Sequence, residues 1–345
     1  MAASRATTIL SAALRLFVVA TIVTACTLPQ AGMVADSPEA RRIPPVSRLG
    51  RWNGSRFVEV TPGSIPPSRL RVLVHGWTPG ADRARIRRER LRSWELVTEP
   101  VPEGRLPFEP WIEPLARSIV THDPHAVVVV YSWLDDSATV RAPLAERRAL
   151  GHTSLHGVLL AEAIESALAP EFTRHHGQIQ LLGHSYGARV SAVAAAERAR
   201  VGEPVAQLTL FDAPDAILTH ISGSQTNLAA ILRHVPLGWG PGRTFVDNYV
   251  SVVGRRYAAL LERDETGERR PMPEMVDVVL APPAGQFAYR PRHLYPMAFY
   301  ERTPGTGVGF DWSPLTGRSA PPTPGCWEQR APDAPTLVHG CTAVP

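Results

Sequence analysis

Residues 181–189 read LLGHSYGAR, which puts a serine, Ser185, two residues from a glycine on either side. A serine hydroxyl attacks a carbonyl only if a base takes its proton and a third group orients that base. The G-x-S-x-G spacing suits a serine at the apex of a sharp strand-to-helix turn, where its Oγ points out over the carboxyl end of a sheet. The glycines let the turn close and the helix pack tightly on the strand. The apolar run QIQLL before Ser185 predicts that strand, and ARVSAVAAAERAR after it predicts the helix. An ordinary serine at a helix start would carry the same local pattern, so the partners decide.

The strongest candidate base is His293, in RHLYPMAFY downstream of the last expected strand. It would take the proton from Ser185 and return it to the leaving group. Two aspartates could orient the imidazole: Asp212, which ends the run QLTLF, and Asp247, within TFVDNY. Either could equally satisfy a turn at a strand end. A tetrahedral oxyanion needs two backbone N–H donors. Tyr186, directly after the serine, and Trp77, in HGWTPG (75–80), are the candidates, with Gly76 and Gly80 letting that loop come close. His75 and His184 flank the same turn and strand end and read as residues that shape loops. His152, His156, His175, His176, His220, His234 and His339 have no comparable context. No metal-ligand spacing stands out, and the chemistry asks for no metal or organic cofactor.

These residues need a scaffold. LRVLVHGW (70–77), AVVVVYSW (126–133), QIQLLGHS (178–185), QLTLFDAP (207–214), RTFVDNYVS (243–251) and EMVDVVLAP (274–282) read as strands, with RFVEV (56–60) as a short first one. Helical patterns fill 81–97, 109–121, roughly 139–169 and 188–200. Strands apolar on both faces and separated by helices predict an α/β fold, with a mostly parallel, doubly wound sheet covered by helices on both faces.

Four segments, VLVHGWTPG (72–80), LLGHSYGAR (181–189), LTLFDAP with FVDNYVS (208–214 and 245–251), and HLYPMAFY (293–300), resemble the α/β-hydrolase superfamily. Within it they are similar to the pancreatic-lipase-like serine esterases. The resemblance spans about 70–300 and implies a Ser185–Asp212–His293 triad in an esterase or lipase. Asp212 is preferred because that family takes its acid from the strand after the nucleophile; other α/β hydrolases place it one strand later, which keeps Asp247 open. The chain departs from the family in reading Asp212-Ala213-Pro214 where the family has Asp-Pro-Ala. It also lacks a cysteine-bounded lid and room for a C-terminal β-sandwich. Thioesterase, amidase or peptidase chemistry would use the same triad, and a non-catalytic surface lipoprotein could retain the scaffold.

The ends of the chain point to export. Arg5 and Arg15 precede the apolar stretch LFVVATIVTA, too short to span a bilayer, and V-T-A-C at 23–26 resembles a bacterial lipobox. Residues 1–25 then read as a signal peptide and Cys26 as the lipidated first residue of a cell-envelope protein held to a membrane by its anchor. Residues 26–67 read as a Pro-rich tether, 68–305 as the hydrolase domain with a possible cap at 216–242, and 306–345 as a Pro-rich tail. Cys326 and Cys341 in that tail are expected to pair in an oxidising compartment. All 36 basic residues are arginine, yet the net charge is only +4, which gives no reason to expect nucleic acid. The densest run, RARIRRER at 83–90, reads as a solvated helix face. The expected substrate is an ester-bearing small molecule or lipid.

Overall fold

The computed structural model describes residues 38–66, 68–97, 108–139, 145–170, 178–214, 228–251, 261–263, 269–272, 274–282, 289–332 and 334–341. Its centre is a ten-stranded sheet of β1 (Leu49–Trp52), β2 (Phe57–Glu59), β3 (Arg69–Val74), β4 (Ala126–Tyr131), β5 (Ile179–His184), β6 (Gln207–Phe211), β7 (Phe245–Val250), β8 (Met275–Val279), β9 (Gly325–Gln329) and β10 (Leu337–His339). Across the sheet the order is β2-β1-β4-β3-β5-β6-β7-β8-β9-β10. β4, β3 and β5 through β9 run parallel, while β1, β2 and β10 join antiparallel at the two edges. The chain winds outward from β3 to β4, then returns to the other side of β3 as β5. Side chains gather at such a reversal, because the loops leaving the two strands diverge and open a crevice.

Alternation along the strands builds two cores. On one face Val72, Val74, Val127, Val129 and Leu181 pack against α2 (Ala145–Ala167) and α3 (Tyr186–Arg200). On the other, Leu73, Val128, Val130 and Leu182 pack against α1 (Ile112–His122) and α4 (Tyr289–Glu301). Strands sandwiched this way are apolar along most of their length, which is why AVVVVY reads as an unbroken run. This mostly parallel, doubly wound arrangement, with a strand-turn-helix at β5–α3, is an α/β-hydrolase fold.

Three expectations change at the edges. Residues 45–52, read as tether, supply β1 beside the short strand expected at 56–60, which forms as β2, and Leu49, Trp52 and Phe57 are buried. Residues 306–341, read as a tail, bury Phe310 and Trp312 and contribute β9 and β10, joined by the Cys326–Cys341 disulfide. The helix expected over 81–97 is broken: Asp82 caps Arg83–Glu89 through a hydrogen bond from the Arg85 N–H, and Arg90 in the left-handed region ends it before Ser93–Val97. That first piece buries Ile86 and pairs Arg85 and Arg88 with Glu89. Residues 1–37, with the expected signal and Cys26, lie outside the described residues. So does most of the first half of the expected cap; its second half includes the short helix Leu228–Leu232, which buries Leu228, Ala229 and Leu232 on the core. No helix among the described residues is long and apolar enough to cross a membrane.

Candidate active site

Ser185 sits between β5 and α3 with φ 53° and ψ −129°, a backbone conformation that non-glycine residues seldom adopt. Such a residue carries roughly 1–3 kcal/mol of strain and persists only where its surroundings hold it. Here its N–H donates to the Phe211 carbonyl at 2.9 Å, and its own carbonyl accepts from Ala188 N–H at 2.9 Å. The flanking glycines are required by space. A Cβ on Gly183 would lie 2.5 Å from the Ala188 Cα, and one on Gly187 would lie 2.4 Å from the carbonyl oxygens of Val74 and His75. Ser185 is half-buried, whereas the residues on either side of it are buried.

The loop after β3 runs directly alongside. A Cβ on Gly76 would meet the Ser185 Cβ at 2.8 Å, so Trp77 follows immediately beyond the serine. The Trp77 ring is anchored by its Nε1–H, which donates to Thr139 Oγ1 at 2.7 Å. His75 is buried and shapes this loop. Its Nδ1–H donates to the Gly76 carbonyl at 3.0 Å, its Nε2 accepts from Trp133 N–H at 3.3 Å, and its carbonyl accepts from the Trp133 indole at 2.6 Å. Burial pushes the His75 imidazole down to about 4, so it stays neutral and keeps that tautomer. Tyr186 occupies the first position of α3, where a helix presents backbone N–H groups at its N-terminus.

Asp212 follows β6 with φ 46°, a second strained residue, which turns its carboxylate away from the strand. Its Oδ2 accepts from His293 Nδ1–H at 2.6 Å, and its Oδ1 accepts from Ser251 N–H at 2.9 Å. Ser251 also donates through its hydroxyl to the Arg292 carbonyl at 2.5 Å, holding the residue before His293. One serine at the end of β7 therefore braces both members of the pair. The His184 ring, adjacent to Ser185 in the chain, rests against the His293 imidazole with centroids 4.5 Å apart. Burial lowers the pKa of His293 and neighbouring His184 lowers it further, against the opposing pull of Asp212 and Glu109. The net direction is down, which leaves the imidazole neutral at pH 7.

Asp247, the alternative acid, meets other partners. Within β7 it accepts from Thr209 Oγ1 at 2.7 Å, Tyr249 OH at 3.0 Å and Gln207 Nε2 at 3.1 Å. Burial pushes its carboxyl up to about 6 despite these bonds. Because residues alternate faces along a strand, a mid-strand aspartate cannot follow the chain out to the loop end as Asp212 does.

Two buried clusters were not apparent in the sequence. Glu109 accepts from the Trp111 indole at 2.6 Å and from Gly76 N–H at 3.3 Å, and lies 3.4 Å from His184 Nδ1. Asp135, Asp136 and His156 converge at the short helix Leu134–Ser137. Arg48 grips Asp135 through two hydrogen bonds at 2.8 and 3.0 Å, and Arg83 approaches Asp136 at 3.5 Å. Tyr131 OH lies 3.0 Å from His156 Nδ1. The carboxylate charge is thus already balanced, as in a buried ion-pair network. Local sequence could not reveal either cluster, because, Trp111 aside, the contacts join residues 20 to 87 positions apart.

No protein-family model and no curated protein matches the chain. Solved structures that share a slight likeness include the following two. A protein described as m3DLH is 12% identical, with a TM-score of 0.29, covering 59% of this chain and 69% of that one. The S-formylglutathione hydrolase FrmB of Staphylococcus aureus is 11% identical, with a TM-score of 0.28, covering 56% of this chain and 64% of that one. At these scores neither bears on this chain's chemistry.

Proposed function

We propose that the protein is a serine hydrolase that cleaves carboxylic esters through an acyl-enzyme. The observation that carries this reading is the 2.6 Å pair of His293 and Asp212, whose imidazole rests against the ring of His184, the residue before a serine strained into a strand-to-helix apex. Asp212 holds the imidazole with its proton on Nδ1, leaving Nε2 to accept the Ser185 proton as Oγ attacks the ester carbonyl. The charge that develops on the carbonyl oxygen is met by the N–H groups of Trp77 and Tyr186, on the loop and helix start that flank the serine. His293 then protonates the departing alcohol, and a water activated by the same imidazole releases the acid.

The test is covalent labelling. Protein spanning residues 27–345 is treated with a fluorophosphonate and the adduct located by peptide mass spectrometry. Labelling at Ser185, abolished in Ser185→Ala and reduced by orders of magnitude in His293→Ala, is the expected result. Folded protein that takes no label would leave a binding scaffold without turnover. Matched ester, thioester and anilide substrates separate ester hydrolysis from the thioesterase and amidase alternatives, with the ester expected to turn over fastest.

The proposed cellular setting stands on V-T-A-C and the preceding apolar stretch: export, cleavage before Cys26 and a lipid anchor in the cell envelope. A mature N-terminus at Cys26 carrying acyl mass, lost in Cys26→Ser, is the expected finding.

A further inference from the structure

Glu109 is a buried carboxylate that the proposed steps do not use. Among the described residues four non-glycine residues adopt positive φ: Arg90, Glu109, Ser185 and Asp212. Arg90 ends a surface helix, but the other three meet at one place. Strain of this kind collects where a site over-determines its backbone. Glu109 lies at φ 35° on the turn leading into α1. It touches both halves of the site. One carboxylate oxygen accepts from Gly76 N–H, the residue before the proposed oxyanion donor Trp77. The other accepts from the Trp111 indole and lies 3.4 Å from His184 Nδ1.

We propose that Glu109 is a positioning residue of the hydrolytic reaction. Its carboxylate ties the oxyanion loop at Gly76 to His184, whose ring forms the wall against which the His293 imidazole rests. This inference rests on the serine-hydrolase reading above. Without the carboxylate, the Gly76 peptide and the His184 ring lose their common anchor. The oxyanion donors and the base then shift relative to Ser185, and a misplacement of about 1 Å can cost about 100-fold in rate.

The charges around this group define how it can be told from a merely structural residue. Burial would raise the Glu109 carboxyl, but His184, His75 and the Trp111 N–H together hold it at about 2, so it is ionised throughout the working range. His293 faces Asp212 on the loop after β6, His184 at the end of β5 and Glu109 before α1; Glu109 in turn also faces His75. Asp212 and Glu109 favour the imidazolium, and His184 opposes it. Removing Glu109 charge should therefore lower the acid limb of the pH–rate profile, and removing His184 should raise it.

Fluorophosphonate labelling of the wild-type protein comes first, since absence of label overturns the hydrolase reading and this inference with it. On labelled protein, kcat, KM and the pH dependence of kcat/KM are measured with a p-nitrophenyl ester for the wild type, Glu109→Gln and His184→Gln. Expected for Glu109→Gln are a kcat lower by about 10- to 100-fold, KM within about twofold, and an acid limb displaced to lower pH. Expected for His184→Gln is an acid limb displaced to higher pH. If wild type takes label while Glu109→Gln retains wild-type kcat and an unmoved acid limb, Glu109 is structural only and the proposal fails. Should Glu109→Gln not fold, His184→Gln decides: an unmoved or lowered limb overturns the arrangement.

Discussion

Asp212 and Asp247 lie one strand apart and are both buried, yet they meet different partners. Asp212 stands at a strand end in a strained turn with an imidazole on Oδ2, while Asp247 is enclosed mid-strand by Gln207, Thr209 and Tyr249. Asp212→Asn is expected to lower kcat by about 10⁴-fold, because the amide no longer fixes the tautomer and orientation of His293. Asp247→Asn is expected to leave kcat within about threefold while lowering the melting temperature, since one of its three donors would face an amide N–H₂. Steady-state kinetics beside thermal melts of the two variants check both, and a larger kcat loss in Asp247→Asn would reverse the assignment. The order of preference between these two acids came from a family resemblance; what separates them physically is which one the imidazole meets.

At the scale of elements, the β5–α3 turn and the parallel strands make separate demands. Gly187→Ala places a methyl 2.4 Å from two carbonyl oxygens of β3 and its loop, backbone that cannot swing aside. It is expected to abolish labelling of Ser185 and to cost several kcal/mol of stability, of the order seen when a core is overpacked; denaturant melts and label incorporation measure this. In β8, Asp277 is buried with Asn248 Nδ2 donating to it at 2.8 Å, and burial pushes its carboxyl from 3.8 up to about 7. The folded state therefore holds this proton where the unfolded chain has released it. Its stabilising contribution is complete below about pH 4 and is lost as pH rises through about 7. Asp277→Asn should raise the melting temperature at pH 8 and flatten its dependence between pH 5 and 8. A parallel profile for wild type and variant would show that Asp277 does not titrate in this window.

At the scale of the whole molecule, residues 306–341 complete the sheet. β9 pairs in parallel with β8, β10 closes the edge, and Phe310 and Trp312 fill the core under α4. Truncation after residue 305 is expected to yield protein that aggregates, because it exposes that apolar surface and the unpaired edge of β8. Size-exclusion chromatography of the truncated chain is the check. Opening the Cys326–Cys341 bridge should do far less. Its 15-residue separation corresponds to about 3 kcal/mol of chain entropy, so Cys326→Ser with Cys341→Ser should lower the melting temperature by a few degrees and leave ester turnover unchanged.

Much of this protein is written locally. The parallel strands are legible because a strand covered on both faces is apolar along most of its length, and the helices because their apolar residues recur at helical spacing. Ser185 is legible for a similar reason: a tight strand-to-helix turn demands small residues at fixed distances along the chain. What tertiary structure decided were the relations with no local imprint. Leu49–Trp52 is a strand only because β4 offers an edge for it, and Gly325–Gln329 only because β8 does. Whether an aspartate serves His293, and whether Glu109 reaches Gly76 and His184, depends on loops from distant segments meeting at the sheet reversal. Periodicity constrains what a residue's own element needs, and only packing determines which other element it meets.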